Sequence, residues 1–334
     1  MSFTADDMKA EEKPVRICCF DFDGQIAGQN LADLADWSDA WSQDEKDEYL
    51  EALYQSNQGL WEPILRDASL YSETLMCSIS LRQSQKLDKN NSRNNCSPSS
   101  FVVLEYFSGK MGIPLDKFLM PDVLRTDGRG DGATWADACN PAVSSEDQVD
   151  YPPAHYDAQK ILQLYTLMQR AVVQRPERLI LLQVFDDKEE YLAAMLEFYS
   201  KYPKLLSKDL TLQLLHHGDK ECGSRDEIGR ELVSFDDSCV SVGFVGGQGM
   251  PHPTYRDWVC NYVRLLWMIG GESADQQEKL KTLLKNAISE YFFDGGDDTS
   301  DDESTATPTR AVFTACEREG GQDRAVSSSH SLTP

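Results

Sequence analysis

Two aspartates stand two residues apart at the end of an apolar run: Val15-Arg16-Ile17-Cys18-Cys19-Phe20 leads straight into Asp21-Phe22-Asp23-Gly24. Along an extended chain, residues i and i+2 point to the same side, so both carboxylates could work on one substrate. A second apolar run, ILLQVF, ends in Asp186-Asp187, and Lys160 sits near the start of the amphipathic pattern YDAQKILQLYTLMQRAVVQ. Open parallel sheets bind ligands beyond the carboxyl ends of their strands. If the two runs are neighbouring strands, four carboxylates meet there. Crowded carboxylates raise one another's pKa and oppose folding unless a cation joins them. Mg²⁺ answers that need, being hard and oxygen-seeking, and a lysine would neutralise part of the remaining charge. Such a site suits phosphoryl transfer, because a divalent cation and a lysine screen the repulsion between an anionic nucleophile and a phosphate ester. One aspartate would attack phosphorus and become an aspartyl-phosphate. The other would protonate the leaving oxygen and then activate water.

The elements that must position these groups can be read from pattern. Residues 15–20 are a short, β-prone apolar run bounded by a turn, which fits a strand buried on both faces. Residues from about 30 to 70 read as helical, with Leu31, Leu34, Trp37 and Trp41 at three- and four-residue steps. Residues 74–80 form a second strand, 101–111 a helix, and 118–124 a third strand that Pro121 confines to an edge. The Asn/Ser-rich stretch after the second strand, LRQSQKLDKNNSRNNCSPSS, reads as a loop, and 125–156 as an irregular segment, so that 82–156 forms an insertion. From Asp157 onward the pattern predicts helix, strand (ILLQVFDD), helix, strand (DLTLQLLHH), a strand over CVSVGFVGG, and helices over 254–270 and 274–293. Alternation of this kind argues for an α/β fold, a three-layer α/β/α sandwich around a parallel sheet. Residues 1–14 and 294–334 are too polar to hold a core and read as a disordered lead and an acidic, Ser-rich disordered tail, flanking one α/β domain over 15–293.

ICCFDFDGQI resembles the first signature of the haloacid dehalogenase (HAD) superfamily, an apolar strand followed by Asp-x-Asp-x-Thr/Val, and ILLQVFDD resembles its fourth. Lys160 falls where the third-signature lysine would, and TLMCSIS supplies a second-signature serine. The resemblance implies a Rossmann-like HAD fold, Asp21 as nucleophile and Asp23 as general acid/base. It further implies Mg²⁺ held by Asp21, the Asp23 backbone carbonyl, and Asp186 or Asp187, with Ser80 (or Ser78) and Lys160 gripping the phosphoryl oxygens. Gln25 departs from the family's Thr or Val. The wording of several segments, among them DAQKILQLYTLMQR and FDDKEEYLAAMLEFYSKYPKLLSKDLTLQLLHH, is similar to Dot/Icm type IV secretion effectors of Legionella and related bacteria. That similarity implies a phosphatase delivered into a host cell to act on host phosphorylated substrates, small or protein. It also leaves room for a catalytically weak scaffold that binds host proteins, or for a phosphotransferase.

Composition narrows the alternatives. The formal charge is −24 over 334 residues, which disfavours nucleic acid and anionic membrane surfaces as partners. No run of about 18 apolar residues exists to span a bilayer. The opening MSFTADDMKAEEKP lacks the basic and apolar parts of a secretory signal, so a cytoplasmic location, or export by a type IV system through the polar tail, is expected. Nine scattered cysteines with no CxxC pair read as reduced, mostly buried thiols. His216-His217, adjacent on a strand, point to opposite faces and read as a strand end. Gly246-Gly247-Gln248-Gly249 reads as a turn, and Arg129-Gly130-Asp131 likewise. Arg82, just past the second strand, is a candidate for binding substrate phosphate.

Overall fold

A computed structural model describes residues 13–23, 25–27, 37–38, 40–95, 97–140, 142–143, 156–217, 234–235 and 239–269. The expected helix at 274–293, the tail at 294–334 and most of the lead lie outside them. Internal contacts divide the chain between Leu266 and Trp267, and the sheet belongs to the first unit.

That sheet has seven strands in the order β3-β2-β1-β4-β5-β7-β6. They are β1 (Val15–Phe20), β2 (Glu73–Ser78), β3 (Leu115–Asp116), β4 (Ile180–Asp186), β5 (Leu210–His217), β6 (Ser234–Phe235) and β7 (Cys239–Gly246). Strands β1 to β5 run parallel, β7 runs antiparallel to β5, and β6 antiparallel to β7. The sheet is therefore mostly parallel, a correction to the wholly parallel sheet expected. The run CVSVGFVG reaches β5 from the opposite direction. Every residue of β1 is buried, as a central parallel strand covered on both faces requires.

Helices cover both faces. Cys18 and Phe20 of β1, Met76 of β2, Phe185 of β4 and Leu215 of β5 share a core with α1 (Gln43–Ser56), α2 (Gln58–Arg66) and α4 (Ser100–Met111). Phe20 stacks on Phe185 and meets the Trp61 ring edge-on. Trp37 and Trp41 pack on this core rather than forming a separate ligand box. On the opposite face lie α7 (Tyr156–Gln174) and α8 (Glu189–Lys201). A Cβ on Gly243, which pairs with Leu214, would meet the Leu196 side chain of α8. Leu214 and its in-register partner Val184 therefore lie under that helix. The arrangement is compatible with an α/β sandwich. The last helix among the described residues, α9, is Tyr255–Ile269.

Three expectations fail in the insertion. The polar stretch after β2 is not a loop: it contains α3 (Gln85–Asn95). Its apolar pattern is too sparse to show a helix, which is held instead by hydrogen bonds. Ser84 Oγ accepts from the Leu87 amide, Gln85 Nε2 donates to the Ala138 carbonyl, and Asp88 accepts from the backbone and hydroxyl of Ser100. Nor is 118–124 a strand. The short β3 precedes it, and Pro121 opens the one-turn helix α5 (Pro121–Leu124), where its missing N–H costs nothing. The segment 125–156, expected to be irregular throughout, contains α6 (Ala133–Cys139). Buried Asp122 accepts from the amides of Leu119, Gly132 and Thr134, which pins the turn between α5 and α6. Asp131 is gripped by Arg170 of α7 and Arg256 of α9. Burial would raise its carboxyl, but those guanidinium hydrogen bonds outweigh burial and hold it below the usual carboxylate range.

The glycines after β7 close the sheet's antiparallel side. A Cβ on Gly247 would stand 1.8 Å from the Ser207 carbonyl oxygen, and one on Gly249 1.9 Å from that of Lys204. The close approach lets the Gly249 amide reach the Leu206 carbonyl at 2.7 Å. Gly247→Ala is expected to destabilise the protein by about 1–3 kcal/mol or more, the scale of overpacking against an unyielding wall. An unchanged urea midpoint would show that the backbone there yields freely.

Candidate active site

The strand order places the ends of β2, β1 and β4 side by side, and the candidate residues lie at or just past those ends. Asp21 follows β1, with its amide donating to the Phe185 carbonyl at 3.0 Å. Asp186 is the last residue of β4 and Asp187 follows it. Lys160 comes from the first turns of α7, and its Nζ donates to Asp21 Oδ1 at 2.8 Å and to Asp186 Oδ2 at 2.9 Å. All three of these side chains are buried. The other Asp186 oxygen accepts from the Lys188 amide at 2.9 Å, which fixes the carboxylate's orientation.

The electrostatics follow from two carboxylates sharing one ammonium. Burial alone would lower the Lys160 pKa, but Asp21 and Asp186 together raise it, so the ammonium stays charged. For Asp21 the balance runs the other way. Burial dominates, Asp186 and Asp23 add repulsion, and half an ammonium does not compensate, so its carboxyl is pushed up to about 7. Asp187 is also raised, first by burial, with the neighbouring Lys188 ammonium opposing.

Asp21, Asp186 and Asp187 each offer an oxygen within 4.8 Å of the others. Asp187 Oδ1 is buried with no hydrogen-bond partner. An orphaned carboxylate oxygen in a cluster of all-oxygen donors fits a hard divalent cation.

No family model, no curated protein and no solved structure matches this chain.

The remaining expected residues are placed differently. The Asp23 carboxylate is held by Arg82, whose Nε and Nη2 donate to its two oxygens at 3.0 and 2.5 Å. Arg82, a candidate phosphate ligand by its position in the sequence, is completely buried and bound to protein groups instead. Ser78 ends β2 opposite Phe20, and Ser80 lies two residues on. Ser78 Oγ accepts from the Ser80 amide and Ser80 Oγ from the Arg82 amide, both at 3.3 Å. The two serines thus form a stair of side-chain turns that carries the chain from β2 to Arg82. Gln25 is buried with neither amide atom hydrogen-bonded.

Sequence reasoning passes over two features. His216 Nε2 lies 3.1 Å from the Asp187 backbone carbonyl; the register Asp186↔His216 is the signal available once β4 and β5 are paired. Asp88 is buried between Arg82 and the start of α4, and nothing in its polar surroundings marks it. Cys18 and Cys19 are thiols without activation: burial pushes Cys18 up to about 12 and raises Cys19 as well, which leaves neither as a thiolate for chemistry. Among the described residues, no helix is long and apolar enough to cross a membrane.

Proposed function

We propose that this chain is a Mg²⁺-dependent phosphohydrolase of the haloacid dehalogenase type, acting through an aspartyl-phosphate on Asp21. One observation carries the reading: Lys160 bridges Asp21 and Asp186 in a buried cluster, drawn from three distant stretches of chain, in which an Asp187 oxygen has no partner. Structural ion pairs satisfy their oxygens. This cluster leaves one open, and its three carboxylates outnumber the two ammoniums beside them, Lys160 and Lys188.

In the proposed reaction an Asp21 oxygen attacks phosphorus, and the bond from phosphorus to the ester oxygen breaks. Asp23 gives that oxygen its proton, then takes one from the water that releases phosphate from Asp21. Lys160 keeps Asp21 oriented, and it offers a positive charge to the phosphoryl oxygens. Asp21, Asp186 and Asp187 would hold Mg²⁺, which when bound screens the negative charge between nucleophile and ester. The Asp23 backbone carbonyl is a further proposed ligand, and Ser80 or Ser78 a proposed phosphoryl contact. The substrate is a phosphorylated protein or small ester, and the resemblance to secreted effectors proposes a host-cell source for it.

A second reading, a HAD-like scaffold of weak activity that binds host proteins, is favoured by Gln25, whose buried amide has no partner where the family carries Thr or Val. Incubation with Mg²⁺ and p-nitrophenyl phosphate separates the two. Turnover that stops on chelation, with label from phosphate trapped on Asp21, supports the phosphohydrolase. No Mg²⁺-dependent turnover across a panel of aryl, alkyl and acyl phosphates would overturn it.

A further inference from the structure

We infer that Arg82 is the positioning residue for Asp23, and that through it the first helix of the insertion sets the geometry of proton transfer. The inference rests on the phosphohydrolase reading above and adds a residue to it. Arg82 is fully buried, and its guanidinium donates in every direction. Nε and Nη2 take the two Asp23 oxygens side by side, Nη2 also reaches Ser97 Oγ at 3.0 Å, and Nη1 reaches Ser92 Oγ at 2.8 Å, the Pro98 carbonyl at 3.3 Å and Asp88 at 3.5 Å. Its flat face lies over the Phe22 ring, 4.5 Å from the centroid.

The asymmetry of the pair points to a positioning role. Arg82 is completely buried, whereas the Asp23 side chain is 38% exposed. A buried arginine that only stapled α3 to the sheet would be served by Asp88, the two serines and the proline carbonyl. The bidentate grip instead fixes the plane of a carboxylate that solvent, and hence a substrate, can reach. A planar fork imposes that orientation, and a lysine cannot. Proton transfer demands such orientation, because general acids and bases act only within hydrogen-bond reach of the proton they move. The anchors of the fork all come from 88–98, so a polar helix with little apolar pattern is tied directly to the acid–base group.

Arg82→Lys keeps the charge and loses the fork. With an alkyl phosphate, whose leaving oxygen needs a proton, kcat should fall about 10²-fold or more while KM changes by less than about threefold. With 2,4-dinitrophenyl phosphate, which leaves without help, the first-turnover burst should survive while the steady state falls, because release of phosphate from Asp21 still needs Asp23. A folded Arg82→Lys variant with wild-type rates on both esters, or one that loses burst and steady state in parallel, would overturn the assignment. Should Arg82→Lys fail to fold, as circular dichroism would show, the double variant Ser92→Ala/Ser97→Ala keeps the fork and loosens its anchors. The same split between burst and steady state is expected there at about five- to tenfold, and unchanged kinetics would overturn the assignment equally. Absence of Mg²⁺-dependent turnover of either ester by the wild type would strike the phosphohydrolase reading itself, separately from Arg82.

Discussion

Asp21→Asn is expected to lower phosphoester turnover by about 10⁴-fold or more, the scale on which loss of an attacking group acts, while leaving the fold intact. The two halves of that expectation have different causes. An amide cannot attack phosphorus, so no aspartyl-phosphate forms and the remaining groups have nothing to act on. Yet Asn is the shape of a protonated Asp, and the folded site already favours the neutral form at this position, with the carboxyl raised to about 7 from an ordinary 3.8. The sign matters for stability. A carboxyl whose pKa is raised by folding supports the native state below its unfolded value. That support is lost as pH rises from near 3.8 toward 7, because the unfolded chain ionises more readily. In metal-free protein, the wild type should therefore lose melting temperature across this interval more steeply than Asp21→Asn, and the variant should be at least as stable at pH 8. Near-wild-type turnover by the variant would remove the nucleophile. A collapse of the fold at pH 8 would show that the Asp21 charge is structural.

The parts of this arrangement that are legible in the sequence share a property: each sits on a continuous, strongly patterned element. β1 and β4 are apolar runs that stop at acids, and Lys160 lies on a helix with a clear stripe. Once β1 and β4 are neighbours, in register from Val15↔Ile180 to Phe20↔Phe185, the meeting of Asp21 with Asp186 follows from strand length alone. The illegible parts depend on partners far away in sequence. α3 has almost no apolar pattern and owes its place to Ser84, Gln85 and Asp88 finding specific acceptors and donors. The antiparallel direction of β7 is invisible in CVSVGFVG, because a strand's side-chain alternation carries no arrow. Pro121 reads as the mark of a strand edge and proves to be a helix start; both tolerate a missing N–H, and the helical turn is held by the Leu119 amide donating to the Asp122 carboxylate, a contact the pattern does not show. Arg82 shows the same limit at the site. Its position after β2 makes it a candidate, but its fork could point to a substrate phosphate or to a carboxylate, and the 59-residue separation from Asp23 hides which.

The largest stability effect should come from Lys160→Met, which keeps the length of the side chain and removes the one ammonium that both Asp21 and Asp186 accept from. Leaving buried carboxylates without their cation costs about 3–5 kcal/mol when one partner of a buried pair is removed. The cost should depend on conditions in a way that a mere packing defect would not. Low pH relieves it, because Asp21, already raised with the lysine present, takes up a proton when the lysine is gone. Magnesium relieves it too, because a divalent ion among Asp21, Asp186 and Asp187 supplies the missing charge. Chemical denaturation at pH 8 should thus show the full loss in chelator, a partial recovery in millimolar Mg²⁺, and a smaller loss at pH 5.5 in either. The variant should also gain more stability from Mg²⁺ than the wild type does, since it starts from a less compensated cluster, even as its turnover falls. A loss that is the same at both pH values and indifferent to Mg²⁺ would mean that Lys160 contributes packing alone, and that the carboxylates around it were never a cation site.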